Sequence, residues 1–113
     1  MAATSMAEKY TYRVEWSEED DAHIARCLEF PSMAAHGDTA ASALANIVDA
    51  VDESIKWLAE ERTPAPEPFG LKKYKGSLSL RIPAEVHRGL AIRSAEAGVS
   101  VNQYILSKLS ARM

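Results

Sequence analysis

Ser77, Ser79 and Arg81 are the residues whose types and spacing suggest a chemistry, because they alternate with Leu78, Leu80 and Ile82 between Gly76 and Pro83. A period of two is the signature of a strand with one buried face. Here the other face carries only hydrogen-bonding side chains. A guanidinium can bond guanine O6 and N7 together, and a serine hydroxyl can donate to or accept from a base edge. Lys72, Lys73 and Lys75 lie just upstream, suited to backbone phosphate. A lone strand cannot cover its apolar face or satisfy its backbone, and its simplest partner is its own copy. Two such strands paired antiparallel make a ribbon with six polar side chains outward, of a size that fits a DNA major groove.

The other candidate chemistries are weaker. Glu18-Glu19-Asp20-Asp21 beside His23 invites a metal, yet a consecutive acidic run on a turn reads as solvated charge. A two-metal nuclease needs carboxylates converging from separate strands, and Glu15 is the one acid placed within a strand here. His23, His36 and His87 show no zinc or triad spacing, and no nucleophile elbow accompanies the serines. Cys27 reads as a small core residue. The expectation is a protein with no catalytic residues, no metal and no cofactor.

The basic strand sits in an uneven chain. Of 113 residues, 47% are apolar and 26% charged, and the net charge is −3. Residues 1–70 hold fourteen acids and five bases, a balance of −9, whereas residues 71–113 hold eight bases and two acids, a balance of +6. Such a split lets a basic unit hold phosphates while an acidic unit hangs outward. No apolar run approaches the roughly 18 residues of a membrane span. Residues 1–9 lack an apolar core of the signal-peptide kind and read as a disordered leader. One cysteine excludes an internal disulfide and fits the cytoplasm.

The elements that would position these groups follow from the pattern. Tyr10, Tyr12, Val14 and Trp16 alternate with Thr11, Arg13 and Glu15 as a strand, Ser17–Asp21 turns, and His23–Leu28 returns. Phe30-Pro31-Ser32-Met33 interrupts, leaving Ala34–His36 for a short third strand. Thr39 or Asp38 caps a helix running to Arg62, with Leu44, Ile47, Val48, Val51, Ile55 and Leu58 as its inward stripe. Trp57 falls outside that stripe and is a candidate partner contact. The prolines at 64, 66 and 68 mark a stiff linker over 63–71. Beyond Pro83, Ala84–Ala97 and Val101–Leu109 read as helices split by Gly98, with Val86, Leu90, Ala91 and Ala95 on one face of the first and Val101, Tyr104, Ile105 and Leu109 inward on the second. Strand-helix-helix in about 40 residues is too small for a monomeric core, so this unit should fold as an intertwined dimer.

From Gly76 to about Ala111, Ser-Leu-Ser-Leu-Arg-Ile-Pro, a helix, then Gly98-Val99-Ser100-Val101-Asn102-Gln103-Tyr104-Ile105 resembles the ribbon-helix-helix family of Arc-like and MetJ-like repressors. The resemblance implies base contacts from Ser77, Ser79 and Arg81, and a phosphate clamp at Ser100, Val101 and Asn102. A helix N-terminus with free amides suits an anion in any case. The N-terminal half is similar to the degenerate RNase H-like domain of HicB-type antitoxins, through the Tyr10–Trp16 strand, the acidic turn, Ala22–Cys27, the Pro31 segment and His36-Gly37-Asp38-Thr39. Ala43 and Asn46 hold two places of that family's Glu-Ala-x-x-Asn pattern, and Ser42 stands at the acidic place. Ser32-Met33-Ala34 replaces its usual Pro-Gly-Cys.

The fold class expected is therefore α+β. A leader (1–9) precedes a β-β-β-α domain (10–62), and the Pro-rich linker (63–71) joins it to a ribbon-helix-helix domain (72–113). The resemblance implies a cytoplasmic type II antitoxin that masks a HicA-like RNA-cleaving toxin and represses from a near-palindromic operator. It would do so as a homodimer whose N-terminal unit can pair dimers into tetramers. An orphan regulator without a toxin is the alternative.

Overall fold

In the computed structural model, which describes residues 5–111 and 113, the aromatic and β-branched alternation after Tyr10 becomes a three-stranded antiparallel sheet. Strands β1 (Tyr12–Ser17), β2 (Ala22–Cys27) and β3 (Phe30–Gly37) lie in the order β1-β2-β3. Tyr12 faces Cys27 and Val14 faces Ala25, so one face of the sheet collects Tyr12, Val14, Ala25, Cys27, Phe30 and Ala35. Helix α1 (Ala40–Glu60) covers that face and buries Ala43, Ile47 and Val51 completely. The inward stripe thus runs through Ala43 rather than Leu44, which is 39% exposed.

Pro31 does not interrupt β3 as the pattern suggested. It lies on an outer strand, where a residue without an N–H does no damage to the ladder. A bulge between Arg26 and Cys27 adjusts the register beside it. Gly37 ends β3 where the chain passes against α1. A Cβ at that position would collide with the Ala43 backbone and with Ser42 Oγ.

The cap of α1 accounts for one departure from the resembling pattern, Ser42 at the acidic place. Thr39 Oγ1 accepts from the Ser42 amide at 3.0 Å, and Ser42 Oγ accepts from the Thr39 amide at 3.1 Å. Ser42 therefore does the reciprocal capping that an acid at this place would otherwise do. Asn46 Nδ2 donates to the His36 carbonyl at 2.8 Å and ties α1 to the end of β3.

The leader and linker boundaries need correcting. Met6–Lys9 forms a 3-10 turn with Ala7 fully buried in the core, so order begins before Tyr10, and only residues 1–4 lie outside the described part of the leader. The proline segment is not a free tether. Tyr10 Oη donates to the Pro66 carbonyl at 2.6 Å, Pro68 is buried, and the Phe69 amide donates to Glu29 at 2.9 Å. The chain divides into two units at Tyr74/Lys75 rather than at residue 72. With that boundary the first unit carries −7 and the second +4.

The second unit holds α2 (Ala84–Ala97) and α3 (Val101–Ser110). Gly98 ends α2 at φ 71, with its amide on the Ala95 carbonyl and the Val99 amide on Ser94. This paired closure needs a left-handed residue, which glycine supplies without strain. Ser94 is the one buried residue among those described in this unit, so the unit has no closed apolar core of its own.

Candidate nucleic-acid interface

Gly76–Pro83 has no strand pairing within one chain and is not helical. Its apolar residues are bare: Leu78 is 93% exposed and Leu80 82%. Ser77, Ser79 and Arg81 are exposed too, so polar and apolar members of the alternation are equally open to solvent. Leu80 and Ile82 join Val86 and Leu90 of α2 and Ile105 and Leu109 of α3 around an apolar groove of about 300 Å³, with Lys108 at its rim. Val86 and Leu109, expected to face inward, are 48% and 59% exposed. Leaving this much aliphatic surface in water is unfavourable by roughly 25 cal/mol per Å².

The start of α3 is closed by a reciprocal cap. Ser100 Oγ accepts from the Gln103 amide at 3.1 Å, and Gln103 Oε1 accepts from the Ser100 amide at 3.3 Å. The first helical bond runs from the Tyr104 amide to the Ser100 carbonyl, so the amides of Val101 and Asn102 lie ahead of the ladder. Ser100 and Asn102 are exposed and Val101 is half-buried.

The three lysines do not form one group. Lys75 is exposed and opens the second unit, whereas Lys72 Nζ lies 4.9 Å from the centre of the Phe69 ring within the first. In the first unit Trp57 is 59% exposed on α1, apart from the buried stripe. Among the described residues, no three His, Cys, Asp or Glu side chains gather as metal ligands. In the acidic turn, Glu18 accepts from Trp16 Nε1 at 2.9 Å, and Asp20 lies 3.4 Å from His36 Nε2.

Glu29 is a structural residue the sequence did not single out. Its carboxylate is buried and accepts from the Thr11 amide and hydroxyl and from the Phe69 amide. Burial pushes this carboxyl up, but the amides of Phe69 and Thr11 outweigh it and hold the group below the usual glutamate value. Burial beside the anionic Glu29 raises the Cys27 thiol, and burial likewise pushes Tyr12 up to about 12. Nothing local marks Glu29, because Phe69 is 40 residues away along the chain.

No helix of the described residues is long and apolar enough to cross a membrane. Neither a curated protein nor a solved structure matches the chain. The model of the HicB family does match, over residues 57–109, from the last turn of α1 through the strand-like stretch to α3. Over that stretch, just under half of its length, the chain is similar to the HicB family.

Proposed function

We propose that this chain is a type II antitoxin whose second unit represses its own operon by pairing Gly76–Pro83 with the same stretch of another copy. The observation that carries the reading is the bare alternation itself. Leu78 and Leu80 are exposed in one chain on a unit without a core, beside a ready apolar groove. Pairing two copies covers the leucines, satisfies the backbone and turns Ser77, Ser79 and Arg81 outward as a ribbon-helix-helix reader. The amides at Ser100-Val101-Asn102 and the Lys75 ammonium then take phosphates on either side. A two-fold protein calls for a near-palindromic site.

The first unit, at −7, masks a HicA-like toxin, and the exposed Trp57 indole is its anchor. An acidic surface steers toward a basic RNA-cleaving partner and, once seated, keeps RNA away. On this reading the protein works in the cytoplasm, performs no catalysis and needs no cofactor.

The test is a gel-shift titration of the full chain on the duplex upstream of its own gene, beside co-purification with the neighbouring gene product. Binding tighter than to a scrambled duplex, together with a small basic partner, is the expected result. Equal affinity for both duplexes would remove the repressor half of the proposal, and a partnerless chain would remove the antitoxin half.

A further inference from the structure

Beside the buried row of Ala43, Ile47 and Val51, the next flank of α1 carries Ala41, Leu44, Ala45 and Val48. Positions three and four apart share a helix face, so these four line up as one wall. Ala41 and Ala45 bring only a methyl group to it. With Tyr12 of β1 they enclose an open groove of about 490 Å³, rimmed by Glu8 and Asp49. Tyr12 Oη donates to the Ala7 carbonyl at 2.6 Å, which ties the ring to the turn Met6–Lys9. Burial pushes that hydroxyl up to about 12, so it stays neutral and the ring presents an apolar wall.

The rim has one sign. Glu8 Oε2 accepts from the Ser5 amide at 3.2 Å, and Asp49 is exposed and takes part in no ion pair among the described residues. Among the described residues, no lysine, arginine or histidine lines the groove. The first unit around it carries −7, a field that concentrates cations. Volume and lining are those of a small-molecule site, about 300–1,000 Å³ and apolar, with a few polar groups that fix orientation. From Ala41 to Val48 the wall runs about 10 Å. A groove of that length offers far less than the roughly 800 Å² that each partner of a stable protein complex buries.

We propose that this groove binds a small amphiphilic amine, its apolar body along Tyr12, Ala45 and Val48 and its protonated nitrogen at Glu8 and Asp49. An anion of the same shape meets two carboxylates, and a bare polyamine leaves the apolar wall unused. A neutral alcohol gains the wall but nothing from the rim. The site lies wholly within the first unit and is independent of DNA and toxin binding.

The test is a heteronuclear NMR titration of the full chain with n-hexylamine, protonated at neutral pH, and with n-hexanol as its uncharged match. Two variants accompany the native protein. Ala45→Leu fills the groove with a good helix former at an exposed position, and Asp49→Asn removes one charge while keeping the shape. Far-UV circular dichroism should be unchanged in both. Hexylammonium should shift the amides of Tyr12, Leu44 and Val48 saturably and bind more tightly than hexanol. Asp49→Asn should weaken the ammonium about two- to fivefold, the range of an exposed ion pair, and leave the alcohol as it was. Ala45→Leu should lose both ligands. Shifts that never saturate, equal affinity for amine and alcohol, or undiminished amine binding by either variant overturn the proposal. The asparagine arm decides by itself if the leucine variant does not fold.

Discussion

At the scale of single residues, Glu29 and Arg81 illustrate opposite relations to the sequence. Arg81 is singled out by neighbours that alternate with it, and that pattern is local. Glu29 is not, because its meaning comes from the Phe69 amide that the fold delivers to it. Glu29→Gln keeps the shape but sets an amide donor toward backbone donors, and should destabilise the first unit by about 1–3 kcal/mol in denaturant titration. The acid response follows from the depressed carboxyl. Its contribution is complete above the unfolded glutamate value, near 4.3, and disappears as pH falls through the lower folded value. The glutamine variant should lose that part of the acid-unfolding slope, and an unchanged slope would remove Glu29 from the account. For Arg81→Ala, roughly 1–3 kcal/mol of preference for the specific duplex should vanish while binding to scrambled DNA is little changed. Equal loss on both duplexes would reduce Arg81 to a phosphate contact.

At the scale of elements, hydrophobic period and capping chemistry carried the reading furthest. Strands β1 and β2 and helices α1, α2 and α3 lie close to where alternation, Thr39, Gly98 and Ser100 put them, whereas β3 starts at Phe30, ahead of the short strand expected at Ala34–His36. Two local inferences needed the tertiary fold. Pro31 breaks a central strand but not an outer one, and strand order cannot be read from the residues around a proline. The α1 stripe moved from Leu44 to Ala43 because β3 passes close enough that only a small side chain fits. The same closeness makes Gly37 a sensitive position. Gly37→Ala should cost about 1–3 kcal/mol by thermal unfolding, since the backbone of Ala43 cannot step aside without tilting the helix. A variant as stable as the native protein would mean that β3 and α1 are not held at this distance.

At the scale of the whole molecule, the charge split was visible in the sequence, but the position of the boundary was not. Composition places the linker at its prolines. The hydrogen bonds of Pro66 and Phe69 instead make that segment part of the first unit, which extends to Tyr74. A fragment ending at Tyr74 should keep the native stability of the first unit and bind no DNA. A fragment ending at Glu67 lacks buried Pro68 and the Phe69 amide and should unfold at a lower denaturant concentration. Equal midpoints for the two fragments would show that the docked segment contributes nothing. The second unit reads in the sequence only as half of something, and on the proposed function its missing half is a copy of itself.

Amide hydrogen exchange across Ser77–Ile82, followed by NMR in the full chain over a range of concentrations, tests that last point most directly. Copy-to-copy pairing predicts protection of every second amide in the stretch, strengthening as concentration rises. Exchange of all of them at the rate of an unstructured chain, at every concentration, would contradict it.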